Sequence, residues 1–297
     1  MKRIRSNSLI TSIIFSKNRP LQLDLTIKSI KQNFPDCSQI IVLHNNDTEF
    51  TEAHSILCSE HKDVESWEQS YSIYKDIYAA ISESRNKYIS FFTDDCICYS
   101  PIPRYDYDNL FEGEYGEIVS CFSLRMGLNI EERHHAGNVA EDKVLKYYHN
   151  EDDDYIMWSR TLHSFGNYWS YSLSVDGHIF RQKDILEMVD ELCYLEKRYE
   201  WDQTPNQFEG ALQRFWGITQ NAMVAFPKSK VVNSPNNRVQ DTHENMSGEL
   251  YSYDDKLLLG KYMSGNRINI DYLDFGEIKC PHTEIDLIKG LDVRSIL

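Results

Sequence analysis

The chain has 297 residues, 41% of them hydrophobic, and a formal net charge of −15. That length buries a substantial core in one large domain, or in a domain with an appended subdomain, which excludes a disordered chain or a fibre. The acidic balance argues against a broad basic face that tracks a phosphate backbone, while leaving room for a local basic groove.

Lys2, Arg3 and Arg5 precede the apolar stretch Leu9–Phe15, which is short, interrupted by Thr11 and Ser12, and followed by Lys17 and Arg19 instead of a small-residue cleavage site. The stretch therefore reads as a strand and not as a secretion signal. No segment approaches the roughly 20 apolar residues that span a bilayer, which predicts a soluble protein. Seven cysteines lack CxxC spacing, and Cys96 and Cys98 lie in an apolar run. They read as reduced, mostly buried thiols, and the expected location is the cytoplasm.

After the first strand, Ser16-Lys17-Asn18-Arg19-Pro20 is a loop that opens a helix over Leu21–Phe34, with Leu23, Ile27, Ile30 and Phe34 on one stripe. Gln39–His44 is a second strand, so the order β-α-β predicts a parallel sheet. Asn45-Asn46-Asp47 then lies at the carboxyl edge, where short polar side chains suit a ribose or a base, or simply form a turn. Helices are expected over Thr51–Ser59 and Gln69–Ser84, the latter with Ile73, Ile77, Ala80 and Ile81 on one face.

Tyr88–Phe92 is a strand that stops at Thr93-Asp94-Asp95 before apolar chain resumes at Cys96–Tyr99. A buried strand ending in acids delivers them to the edge where open α/β sheets bind ligands. Adjacent carboxylates repel unless something positive lies beside them, and a hard divalent cation carrying a phosphorylated ligand is one solution. The alternative is a plain acidic turn. Glu117–Leu124 is a further strand, and Arg125 after it either grips a phosphate or carboxylate with its planar fork or makes a surface salt bridge.

Ile130–Asp154 is polar, carries the adjacent His134 and His135 and ends in four acids, and it reads as a mobile insertion without a metal pair. Trp158, Tyr168, Trp169 and Tyr171 either face sugar rings or bases or fill the core. Asp176-Gly177 interrupts the apolar segments Leu173–Val175 and Ile179–Phe180 with a carboxylate and a permissive backbone position. A helix follows over Gln182–Trp201, with Ile185, Val189, Leu192 and Tyr199 on its stripe. Another opens after Pro205 and sets Glu209 near its first turn, where the dipole holds a carboxylate ionised, as a cap or as a general base. Val224–Phe226 and Lys230–Val232 are strand-like, Asn233–Asn245 is an amide-rich loop, and Ser247–Leu297 reads as a helix, a short strand and a tail.

SIIFSKNRP, QIIVLHNND and KYISFFTDDCICY, in that order, resemble the first strand and nucleotide loop, the second strand and the aspartate motif of GT-A-fold, family 2-like glycosyltransferases. CFSLRMGLNI, YSLSVDGHIFR, PNQFEGAL and VVNSPNNRVQ resemble segments of a bacterial and viral group of that class. The resemblance implies an α/β, Rossmann-like, mostly parallel sheet flanked by helices, with a short antiparallel acceptor-side sheet and a C-terminal extension. It places a nucleotide-binding half over residues 1–125, an acceptor half over 126–240 and the extension over 241–297. The family motif is Asp-x-Asp, whereas here the acids are adjacent.

By resemblance, Asp95 binds Mn²⁺ or Mg²⁺ directly, with His243 as a further contact, and Asp94 touches ribose or a metal-bound water. Ser16, Lys17, Asn18, Arg19, Asn46 and Arg125 lie near the nucleotide sugar, most simply a UDP-sugar. Asp176 lies near the donor sugar or acceptor, and Glu209 stands in the place of the base of inverting members. The expected activity is metal-dependent transfer of a sugar to a hydroxyl acceptor, with Glu209 or Asp176 taking the acceptor proton. The acceptor is a saccharide, in the cytoplasm of a bacterium or of a virus-infected bacterial host. One alternative is a viral enzyme acting on hydroxymethylated bases in DNA, with Arg104, Arg125, Arg133, Arg160 and Arg181 forming a local groove. Another is a non-catalytic nucleotide or sugar-binding module, or a nucleotidyltransferase, although SKNRP lacks the glycine-rich loop of the latter.

Overall fold

The structure is a computed structural model describing residues 9–135, 138–152, 154–164, 166–198, 201–215, 221–239 and 247–293. Strands β1 (Ile10–Ser16), β2 (Cys37–His44), β3 (Glu65–Glu68) and β4 (Tyr88–Thr93) alternate with helices α1 (Pro20–Asn33), α2 (Thr51–Glu60) and α3 (Ile73–Ser82). These four strands are parallel, in the spatial order β3-β2-β1-β4. The first two helices step the chain one way along the sheet and α3 steps it back, so right-handed crossovers put α3 on the opposite face. Packing agrees: α1 contacts α2 and the later α7 (Asp255–Met263), whereas α3 contacts α5 (Gln182–Glu196) and α6 (Pro205–Phe215).

Between α3 and α7 the chain also forms β5 (Cys96–Cys98), α4 (Tyr107–Glu112), β6 (Val119–Ser123), β7 (Glu132–His135), β8 (Asn138–Glu141), β9 (Tyr148–Asn150), β10 (Tyr155–Ser159), β11 (His178–Arg181), β12 (Ala222–Ala225) and β13 (Val231–Asn233). Beyond α7 lie β14 (Asn266–Ile268) and β15 (Leu291–Val293). The central sheet runs β3-β2-β1-β4-β11-β6-β12-β10-β9, with β11 antiparallel to both neighbours. Seven of its nine strands point the same way, β10 and β11 being reversed. Small antiparallel pairs β5–β13, β7–β8 and β14–β15 complete the expected α/β class. No helix among the described residues is long and apolar enough to cross a membrane, and no disulfide joins the seven cysteines.

Residues β1 and β4 are buried almost throughout, as strands covered on both faces must be. The structure departs from expectation in three places. Ile130–Asp154 is not a featureless insertion: it folds into the β7–β8 hairpin and contributes β9 to the sheet edge. Its strands are short and polar, so they carry no apolar alternation to betray them. The expected helix at Gln69 begins only at Ile73, because β3 occupies Glu65–Glu68, the Gln69 N–H extends its ladder to the His44 carbonyl, and the Ser72 hydroxyl caps the helix at the Lys75 N–H. Finally, α5 ends at Glu196, short of Trp201.

Helix α1 carries the residues that follow β1, and a buried ion cluster fixes it. Asp24, with no solvent exposure, accepts from His61 Nε2 at 2.8 Å and from Lys28 Nζ. Burial pushes the Asp24 carboxyl up, but His61 and Lys28 outweigh it and hold the group below its ordinary value. Asp24→Ala leaves both partners facing an empty site and is expected to destabilise the protein by about 3–5 kcal/mol, read as a lower urea midpoint at unchanged slope.

Candidate active site

The sheet gathers its chemistry at the carboxyl ends of the parallel strands. Phe15 pairs with Thr93, so the residues after β1 and β4 emerge side by side. Strand β11 runs the other way, so its leading residues, Asp176-Gly177, arrive at the same edge, with the Gly177 N–H on the Phe91 carbonyl. Gly177 has φ of 76°, a left-handed conformation that suits glycine, and a Cβ added there would crowd the Val231 side chain at 3.1 Å. The interruption noticed in the sequence is thus the turn that aims Asp176 at the acids of β4.

Arg19 lies between the adjacent aspartates. Its Nη1 donates to Asp94 Oδ1 and Asp95 Oδ2, each at 2.9 Å, and Nη2 donates to the Asn237 carbonyl. Asp94 Oδ2 accepts from Ser16 Oγ at 2.9 Å and from the Lys17 N–H at 3.0 Å, whereas the Lys17 side chain is exposed. Burial alone would lower the Arg19 pKa; the two carboxylates outweigh it and raise it. Burial and the neighbouring Asp95 charge push the Asp94 carboxyl up against the pull of Arg19.

Asn18 adopts a left-handed backbone (φ 56°), which asparagine tolerates better than most residues. Its backbone N–H reaches Asn46 Oδ1 at 2.9 Å, its side-chain Nδ2 donates to Asp47 Oδ2 and its side-chain Oδ1 accepts from the Asp47 N–H. Asn18 and Asn46 therefore fasten the loops after β1 and β2 to each other.

A second set of contacts links Asp95 to Asp176. Thr93 Oγ1 lies 2.8 Å from Asp95 Oδ1 and 2.9 Å from Asp176 Oδ1, and Asn233 Nδ2 lies 2.9 Å from Asp95 Oδ1 and 3.0 Å from Thr93 Oγ1. The other oxygen of Asp176 accepts from Arg125 Nη1 at 2.8 Å and faces His282 Nε2 at 3.4 Å. Arg125 stacks over Tyr168 at 5.4 Å. His282 comes from the C-terminal segment, held there because the Asn233 N–H bonds the Pro281 carbonyl and the Thr283 N–H bonds the Asn233 carbonyl.

Glu209 joins from α6, accepting from the Val175 N–H at 2.9 Å. It is the fifth residue of that helix, beyond the first turn, so the expected dipole effect does not govern it. Burial, then the charge of Asp176, push its pKa up to about 7, against the opposing pull of Arg125, Val175 and Ser174. Asp176 behaves oppositely. Burial raises it, but the His282 hydrogen bond, the Arg125 charge and Thr93 together hold its carboxyl well below the carboxylate range.

Asp94, Asp95, Asp176, Arg19, Arg125 and Glu209, singled out in scattered segments, thus share one edge. His243 lies outside the described residues. Trp158 and Trp169 are core residues, each indole N–H bonded to a backbone carbonyl. Thr93, Asn233 and His282 were missed, and no periodicity marks them; the only cue for Thr93 is its place before the acids. A cleft of about 480 Å³ lies elsewhere, between α1 and β14, with Lys28, Lys31 and Arg267 in its wall.

No protein-family model and no curated protein matches the chain. Among solved structures, it is similar to Staphylococcus aureus TarS 1–349 at 12% identity and TM-score 0.41, covering 75% of this chain and 59% of that one. The same protein in complex with UDP gives 12% identity and TM-score 0.44, over 77% of this chain and 61% of that one. Glucosyl-3-phosphoglycerate synthase from Mycobacterium tuberculosis gives 16% and 0.30, over 39% and 43%. The chain thus spans about three-fifths of the length of TarS 1–349. Likeness at this level identifies no relative, and function has to be argued from the site.

The raised pKa of Glu209 has a consequence for stability. An unfolded glutamate ionises near 4.3 and the folded one near 7, so the folded state loses stability as pH rises through that window. Glu209→Gln, which cannot ionise, is expected to raise the melting temperature relative to the parent more at about pH 8 than at about pH 4.5. Equal differences at the two pH values would show that Glu209 does not carry the shift.

Proposed function

We propose that the protein is a glycosyltransferase that moves a sugar from a nucleoside-diphosphate sugar, most simply a UDP-sugar, to the hydroxyl of a saccharide acceptor, with inversion. The observation that carries the reading is Glu209, poised near neutral pH beside the Asp176–Arg125 pair at the edge where Asp94 and Asp95 emerge. A general base works best with a pKa close to the operating pH. Of the two candidates for that role, Asp176 is held ionised by its partners and is the weaker base, so Glu209 takes the acceptor proton as the hydroxyl oxygen bonds to the anomeric carbon and the bond to the diphosphate breaks. Asp176 orients Arg125.

The leaving diphosphate needs positive charge, and the chain offers two buried guanidinium groups. Arg19 and Arg125 each keep a buried Nε–H without a partner. Both donors are available to phosphate oxygens, and their charge is amplified by the low dielectric around them. Ser16, Lys17, Asn18 and Asn46 shape the nucleotide side, in the loops after β1 and β2. In this reading the nucleotide-binding half covers residues 1–125 and the acceptor half 126–240, and the 241–297 extension adds His282 to the acceptor side.

The fit of a divalent cation rests on the donor set. Asp94, Asp95 and Asp176 outnumber Arg19 and Arg125 by one charge, and Asp95 Oδ1 has the Thr93 hydroxyl and the Asn233 amide within 3 Å. These are hard oxygen ligands once the amide turns its oxygen inward, and they suit Mn²⁺ or Mg²⁺. Among the described residues, however, no group of three His, Cys, Asp or Glu side chains is arranged to hold a metal, and Arg19 already occupies one oxygen of Asp95. When bound, the ion would supply neutralisation of the leaving diphosphate.

The test uses a panel of sugar nucleotides with and without Mn²⁺, read by melting temperature and product formation. One sugar nucleotide should raise the melting temperature and be turned over, since a ligand of the folded state stabilises it. Glu209→Gln should lower kcat by about 10²–10⁴-fold with little change in donor binding, and parent activity should rise with pH through about 7. Asp95→Asn should abolish turnover. Undiminished turnover by the Asp95 and Glu209 variants would remove the proposal.

A further inference from the structure

A guanidinium and a divalent cation cannot share one pair of carboxylates. Arg19 Nη1 is 2.9 Å from an oxygen of Asp94 and 2.9 Å from an oxygen of Asp95, and its own side chain is buried with them. The remaining oxygen of Asp94 is taken by Ser16 and the Lys17 N–H, and that of Asp95 by Thr93 and Asn233. Every oxygen of the pair therefore faces a proton donor, and a full positive charge, that of Arg19, touches both carboxylates. An incoming cation would meet like charge at the place it has to enter.

Arg19 is also built to leave. Its Nε–H has no partner, and the contact of its Nη2 with the Asn237 carbonyl is to a neutral group. A diphosphate offers a guanidinium two parallel charge-assisted bonds, which a lone carbonyl cannot match. Helix α1 starts immediately after Arg19 with Pro20 in its first turn and is anchored by Asp24, so the side chain can turn without its backbone moving.

We propose that Arg19 is a resident counter-ion that holds the Asp94–Asp95 pair closed to divalent cations in the free protein and gives it up when a diphosphate draws the guanidinium away. The role of the diphosphate rests on the glycosyltransferase reading; the competition between Arg19 and the cation does not. Cation and nucleotide then bind with positive coupling, and Arg19 is the residue through which the coupling runs.

The test is a Mn²⁺ titration followed by the electron paramagnetic resonance of the free ion, on the full chain, with inorganic Mn²⁺ alone and with UDP present. Wild type should bind Mn²⁺ weakly by itself. Arg19→Gln should bind it about tenfold more tightly or better, and adding Asp95→Asn to that variant should remove the gain. Mn²⁺ should also raise the melting temperature of Arg19→Gln and not of wild type. Arg19→Lys, which keeps a charge without the planar fork, should fall between them and serves as the reporter if Arg19→Gln fails to fold. The proposal is overturned if wild type without UDP already binds Mn²⁺ as tightly as the variants, or if their gain survives loss of Asp95. A chain that binds no sugar nucleotide would sink the glycosyltransferase reading while leaving these titrations readable.

Discussion

Two adjacent carboxylates at the end of a buried strand cannot stay ionised side by side without a cation, and in this protein Arg19 is that cation. Much of the local architecture follows from getting a guanidinium to that point. The loop from β1 must turn back over the tip of β4, which requires the left-handed Asn18 and its fastening to Asn46 and Asp47. Helix α1 must start immediately afterwards, and it does so without a side-chain cap, with proline at its first turn. The Thr26 hydroxyl, within reach of the Asp94 and Cys96 carbonyls, ties the helix to the same strand end.

How much of this could be seen in the sequence depends on whether the signal was local. The β-α-β start, the Leu23–Ile27–Ile30 stripe and the abrupt end of Tyr88–Phe92 at two acids are patterns of one segment, and they describe β1, α1, β2 and β4 closely. Asp176-Gly177 also stood out, because a carboxylate inside an apolar segment is conspicuous. Strands β3, β7, β8 and β9 were invisible because they are short and largely polar, and their pairing comes from neighbours. The contact of Arg19 with Asp94 and Asp95 was hidden for a different reason. The sequence showed that a positive charge was needed, and Arg19 lay in plain view, but nothing local says that a residue 75 positions earlier closes on that strand end.

His282 and Asn233 show the same limit from the other end of the chain. The C-terminal segment is tied down at several places, two of them far apart. Arg267 grips Glu60 of α2 with two nitrogens and stacks on Tyr262, while residues 281–283 pair with Asn233 beside the acids. The Arg267–Glu60 pair and these backbone hydrogen bonds hold the segment in place, so the environment of Asp176 depends on chain far beyond the sheet that carries it.

Asp176, buried, and Glu209, half-buried, lie beside one arginine, yet they are driven to opposite ionisation behaviour. The difference lies in which donors each one owns. Asp176 accepts directly from Arg125 Nη1, with His282 and Thr93 around it, so its charged form is satisfied. Glu209 receives the Val175 N–H and feels the pull of Arg125, but its burial and then the charge of Asp176 outweigh both. Burial does most to raise Glu209, and the ionised Asp176 adds to it, because a negative neighbour raises the cost of a second charge. A substitution that neutralised Asp176 would unbalance Arg125 and lower the pKa of Glu209, leaving burial to hold it up, so the protonation of each acid depends on the other.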